Sequence, residues 1–181
     1  MKKNVNYFKM ISPYFLQLMS LTIMLAFFTP VIANAQAGKT NFTGTWALNA
    51  EKSSLGDNQG VQRMFGGNFV AKQEANLLTV DRTRTNQNGE TSTSTMKYTL
   101  DGKESINTSQ RGESKSVATW SPDNKTLTIL TSRTFEMNGN QMTMKSTEVW
   151  SLTNANTITI TSTRQGRDGE EIKATIVYDK K

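Results

Sequence analysis

From residue 36 onward the chain keeps returning to one pattern: apolar and polar residues alternate, and a tight-turn sequence follows. Thr157 to Arg164 is the clearest case, with Ile158 and Ile160 on one side and Thr157, Thr159, Thr161 and Thr163 on the other. A period of two is what a strand with one buried face requires. No apolar repeat at helical spacing persists over three turns. The same alternation runs through Leu127–Phe135, Met142–Trp150 and the closing Ile172, Ala174, Ile176 and Tyr178. Earlier strands are expected at 42–49, 68–73, 77–85, 91–100 and 115–121, with a short one at 104–110. Twenty-four threonines after residue 35 suit pleated surfaces, and Pro122 is the one proline after Pro30.

The joints are as informative as the strands. Asn88-Gly89, Asp101-Gly102 and Asn138-Gly139 are hairpin dipeptides. Ser121-Pro122-Asp123-Asn124 reads as a turn with proline second. Asn154-Ala155-Asn156 and 166–169 close the last two hairpins. Tight turns join only antiparallel neighbours. Eight to ten strands so joined form an up-and-down meander, which removes its exposed edges by closing into a barrel. A two-sheet sandwich is the alternative, and it asks for longer crossing connections than the sequence offers. Residues 50–67 break the pattern with Gly56, Gly60, Gly66 and Gly67. A loop this long either covers one barrel mouth, anchored by Met64 and Phe65, or is a surface excursion.

The first 35 residues read as an address. Lys2, Lys3 and Lys9 precede an apolar run over 14–28, and Ala33-Asn34-Ala35 follows Pro30. That is a secretory signal peptide with cleavage expected after Ala35. The run is shorter than the roughly 20 residues a span needs. An uncleaved anchor is the other reading. The expected organisation is a leader at 1–35 and one domain at 36–181, exported to the periplasm or beyond.

Cysteine and histidine are both absent. Disulfides, thiolate metal sites, cysteine nucleophiles and Ser-His-Asp triads are thereby excluded. No metal site or cofactor is called for, and a non-enzymatic role is expected. Without residues 1–35 the chain holds 18 basic and 15 acidic residues, net +3 against +6 for the whole. The surplus is spread out, unlike the basic stripe of a nucleic-acid binder. Nothing in the sequence places Glu148 at a fixed separation from Glu136 or Asp81, as a glycosidase pair requires; 166–169 has neither the lysine nor the following helix of a phosphate loop; and Asp168, Glu170 and Glu171 match no calcium-loop spacing.

Counting by twos sets charged residues on inward faces. From Val80 the count reaches Arg82 and Arg84; from Ile129, Thr131 and Arg133; from Met144, Ser146, Glu148 and Trp150; from Ile160, Ser162 and Arg164; from Ile172, Ile176 and Tyr178. A buried charge needs a partner, water or a ligand. Arg82, Arg133, Arg164 and Tyr178 are candidates for holding the carboxylate or phosphate of an amphiphile, with Glu148 among them. Two readings need no ligand: a bulge near the strand ends turns these arginines outward, or Glu148 pairs with Arg133 on the next strand.

The opening Asn41-Phe42-Thr43-Gly44-Thr45-Trp46-Ala47-Leu48-Asn49 carries a Gly-x-Trp that resembles the lipocalins and their calycin relatives. Together with 51–54, Tyr98–Glu104, Trp120–Ile129 and Val177–Lys181, it looks like small secreted bacterial lipocalin-like proteins across nearly the whole mature chain. The resemblance implies a barrel whose base is plugged by Trp46, with Gly44 allowing a tight bend. In true lipocalins an arginine caps that tryptophan, and Arg164 is the candidate here. The later Thr-Asp-Tyr motif is missing. Fatty-acid-binding relatives use an arginine and a tyrosine on the ligand's head, which implies the same direction for Arg82, Arg133, Arg164 and Tyr178. Two functions follow: a barrel binding a small hydrophobic or amphiphilic molecule without stable membrane insertion, or a filled barrel meeting a protein partner in the cell envelope.

Overall fold

A computed structural model describes residues 38–54, 67–85, 88–109, 112–137, 139–165 and 169–181. The proposed leader, Met64, Phe65 and residues 166–168 lie outside them. Ten strands follow in order: β1 Gly44–Leu48, β2 Phe69–Gln73, β3 Leu77–Thr85, β4 Thr91–Thr99, β5 Glu104–Ser109, β6 Gly112–Trp120, β7 Thr126–Met137, β8 Asn140–Asn154, β9 Thr157–Gln165 and β10 Glu171–Lys180. The described residues contain no helix. All pairs are antiparallel, in the spatial order β4-β3-β2-β1-β10-β9-β8-β7-β6-β5. The first and last strands are therefore neighbours, and the sheet curls into a nearly closed barrel, not a sandwich.

The seam lies between β4 and β5, and side chains stitch it in place of a ladder. Lys97 N–H donates to Asn107 Oδ1 at 2.7 Å, and Asn107 Nδ2 donates to the Lys97 carbonyl at 2.9 Å. Thr99 N–H donates to Ser105 Oγ at 2.8 Å. A carboxamide has the donor and acceptor of a peptide unit, so Asn107 stands in for the missing strand partner.

Local chemistry explains the turns. Gly89, Gly102, Gly139 and Gly169 have φ between 78° and 85°, where a Cβ is disfavoured. Asn124 takes φ 58° in the proline turn, the one positive-φ non-glycine among the described residues. Outside, threonines pair across strands, as Thr83 with Thr93 and Thr153 with Thr159. This is where the threonine-rich faces go.

The lower half of the barrel is solid. Phe42, Leu78, Leu127, Trp150, Ile158, Ile160, Ile176 and Tyr178 are all 0% exposed, so no water-sized space touches them. Residues 39–43 run beneath the strands and seal the base. Thr40 N–H donates to the Asn124 carbonyl, and Gln73 ties Phe42 and Thr40 together through its amide. Phe42 stacks on Trp120 and meets Trp150 edge-on.

The stretch after β1 does not leave the wall at once. Ser53 Oγ accepts from Val177 N–H at 2.9 Å, and Ser54 exchanges two backbone hydrogen bonds with Thr175. Asp179 receives the Asn49 amide at 2.6 Å, the Thr157 hydroxyl at 3.0 Å and Lys52 at 3.4 Å. Asn49, Lys52 and Ser53 at one end of the chain thus meet Asp179 and Val177 at the other. The motif pieces at 49–54 and 177–181 form a single clasp.

Candidate functional site

Three of the residues expected to face inward meet across the lumen. Arg82 on β3 donates through Nη2 to Glu148 Oε2 on β8 at 3.3 Å, and through Nη1 to the Tyr178 hydroxyl on β10 at 3.4 Å. β3 and β8 stand five places apart in the sheet, so only inward side chains can join them. Trp150 Nε1 donates to the same Glu148 oxygen at 2.9 Å.

Aromatic rings enclose this pair. The Arg82 guanidinium lies 5.2 Å from the Phe69 ring centre and 5.7 Å from that of Trp150, which favours its charge. Tyr178 meets Phe69 edge-on at 4.7 Å. The pair is largely dehydrated, with the Arg82 side chain 11% and the Glu148 side chain 17% exposed. Burial works against the Arg82 charge, but Glu148 together with Tyr178 and Tyr98 outweighs it, and the guanidinium is held above its ordinary pKa. Burial raises the Tyr98 phenol, as does the Glu148 charge, while Arg82 and Arg133 oppose them. Burial likewise raises Tyr178, opposed first by Arg82. Both phenols stay protonated near neutrality, and the Tyr178 hydroxyl accepts from Arg82.

Glu148 therefore pairs with Arg82 across the barrel and not with Arg133 beside it. Arg133 faces Ser114 on one neighbour and Met144 on the other. It lies on the inward face, two inward pairs beyond Glu148 along β7–β8, and its charge reaches Tyr98. Arg164 faces Ser146 and Ile172 at the same end. Arg84 follows Arg82 on β3, opposite Ser92. Arg84, Arg133 and Arg164 are each half-buried. Along the described inward faces they are joined by hydroxyls: Ser114 and Ser162 are buried, and Ser116, also buried, bonds Thr131 at 2.9 Å. Glu148 is the one carboxylate among these inward positions.

Trp46 and Gly44 lie on β1. Trp46 is 1% exposed, and its Nε1 donates to the Phe42 carbonyl at 3.0 Å. A Cβ on Gly44 would come within 2.9 Å of the Lys180 stem and 3.3 Å of the Trp46 indole. The cation over Trp46 is Lys180, 5.5 Å from the ring centre. Arg164 is not the cap: it sits toward the other end of the strands. Lys180 is the register partner of Trp46, and nothing in the sequence alone gave that register. The glycosidase pairings also fail in geometry. Asp81 accepts from Thr95 on the outer face, and Glu136 alternates to the side opposite the inward Phe135.

The inner wall divides into layers. Packed aromatic and aliphatic residues form the base. Above them lies the Arg82–Glu148–Tyr178–Trp150 network, and above that a collar of guanidinium and hydroxyl groups. No family model matches the chain, and no curated protein does. Among solved structures it is similar to a variant of the fluorescent protein UnaG, at a TM-score of 0.50 and 16% identity, over 77% of this chain and 96% of that one. A second UnaG variant matches at 0.47 and 17%, over 77% and 95%. The fold is an antiparallel up-and-down barrel of ten strands. The likeness is one of fold, and the residues of this barrel's interior carry the rest.

Proposed function

We propose that this barrel binds a small amphiphilic, anionic molecule at the end opposite its packed base, and that it does so outside the cytoplasm without catalysing a reaction. The observation that carries the reading is the collar. Half-buried arginines on β3, β7 and β9 converge with hydroxyls above a floor that admits no water. Convergent polar groups over an apolar floor are the usual makings of a ligand site, and guanidinium suits carboxylate and phosphate. The packed base revises where such a ligand lies. Its apolar part has no room among Leu127, Ile129, Ile158 and Ile160, which are all no more than 1% exposed.

Several features support the non-catalytic part. The chain lacks histidine and cysteine, and Glu148 is committed to Arg82 and Trp150. Export rests on the leader pattern at 1–35, and intact mass of the protein from its native compartment tests it. Mature protein starting at Gln36 is expected; a full-length mass contradicts export with cleavage.

A second reading has its own observation. Ile106 and Leu130 are 58% and 53% exposed on the outer faces of β5 and β7, on either side of β6. With a solid base, they favour a module that meets an envelope protein through its outside. Isothermal titration of the purified protein with an anionic amphiphile separates the two. Saturable binding near one equivalent supports the ligand reading, and heat-silent titration favours the module.

A further inference from the structure

We infer that the anionic group is received by Arg133, not by the deeper Arg82, and that the ligand's apolar body lies against the inner face of the β7–β8 hairpin at the mouth. This rests on the ligand-binding reading above and fixes the orientation and class of the molecule: a compact anion with an attached apolar body, held head-inward and body-outward.

Three observations lead there. First, Arg82 is already answered. Its two terminal nitrogens meet Glu148 and Tyr178, and two aromatic rings cover its plane. A second anion there would have to share a neutralised guanidinium and stand beside the Glu148 carboxylate. Second, among the described residues none forms a hydrogen bond or ion pair with Arg133. It sits above the network, beside the Ser116–Thr131 hydroxyls. An arginine so placed has its donor fork available for two parallel bonds to a planar anion.

Third, the hairpin outgrows its neighbours. β7 pairs with β8 out to Met137 and Asn140, while β6 follows β7 only as far as Arg133 and β9 follows β8 only as far as Ser146. Beyond those points no ladder joins the arms to β6 or β9 among the described residues, and Gly112 of β6 still approaches the Thr134 carbonyl. The inward positions of the arms are Phe135 and Met142, which face each other, and Met144, which faces Arg133. Met144 is 40% exposed. Apolar side chains on the inward side of this hairpin, beside a guanidinium and one inward pair beyond it, present a body site next to a head site. Methionine adapts its shape to varied apolar partners.

The test compares two fluorescent probes that share a ring system: anilinonaphthalene sulfonate and the uncharged phenylnaphthylamine. The purified protein is expected to bind about one equivalent of the sulfonate, roughly tenfold or more tighter than the uncharged probe, the scale of one charge-assisted contact. Arg133→Ala is expected to abolish that preference, Arg133→Lys to keep part of it, and Met144→Asp to weaken both probes. Circular dichroism confirms that each variant is folded, which its position near the rim favours. If the sulfonate binds with its preference intact in Arg133→Ala, the orientation is wrong while the ligand reading stands. Equal affinity for the two probes in the unaltered protein overturns both the orientation and the anionic part of the ligand reading, and leaves a barrel that binds apolar molecules without regard to charge. If neither probe binds, the ligand reading itself falls with it.

Discussion

At the scale of single residues, the interior turns on one ion pair. Removing one partner of a buried pair strands the other charge and typically costs about 3 kcal/mol or more, whereas replacing both with apolar groups is far milder. Arg82→Met is therefore expected to destabilise the fold by about that amount, read from the urea midpoint, and the double variant Arg82→Met with Glu148→Leu to recover much of the loss. If the two changes simply add, the pair is not coupled. Asp179 gives a pH signature. The Asn49 amide, then the Thr157 hydroxyl and Lys52, hold its carboxyl below the ordinary range. A lowered carboxylate adds stability that is complete above the unfolded value, about 4, and is lost as pH falls through the folded one. Asp179→Asn should lower the melting temperature at pH 7, with the gap to the unaltered protein closing below about pH 4. A gap independent of pH would contradict the clasp. Alternation by twos made Arg82, Glu148 and Tyr178 legible as inward residues. It did not show which of them meet, because partners five strands apart depend on curvature that no local pattern encodes. Lys180 over Trp46 escaped for the same reason.

At the scale of elements, almost every strand was legible, because each carries its own alternation and most carry a glycine or asparagine where the chain reverses. β7 and β8 run longer than the pattern predicts, to Met137 and Asn154. Their ends lose the apolar rhythm that marks a wall, since they project beyond it or run into turns. The seam was not legible at all. Asn107 looks like any polar strand residue until Lys97 is found opposite it without a ladder. Asn107→Ala removes both stitches and leaves the Lys97 N–H and carbonyl without their partner, at about 1–3 kcal/mol for each group that stays buried. Amide exchange at Lys97 should accelerate strongly while the β8–β9 amides slow or hold; uniform acceleration would mean the seam is not a separate unit. Close approach makes Gly67 another sensitive point. A Cβ there would collide with the Thr83 carbonyl oxygen, so Gly67→Ala must displace backbone. Its cost, of order 1–3 kcal/mol, should exceed that of Gly102→Ala, where φ is unfavourable but the space is open.

At the scale of the whole molecule, the barrel is two things at once. Its lower half is a sealed core, as the filled-barrel alternative expects, and its upper half is a charged, hydroxyl-lined collar, as the ligand alternative expects. Closure followed from the sequence because a ten-strand meander has few other ways to hide its edges. The division into halves did not, because inward arginines and inward isoleucines alternate identically along a strand, and only packing reveals which layer is filled. The measurement that tests this most directly is the native mass of the protein, purified from its own compartment without detergent, set against its denatured mass. The account predicts a stoichiometric excess that is released on denaturation, belongs to a small anionic molecule and is reduced in Arg133→Ala. A native mass equal to the polypeptide, unchanged when anionic amphiphiles are added at saturating concentration, would contradict it.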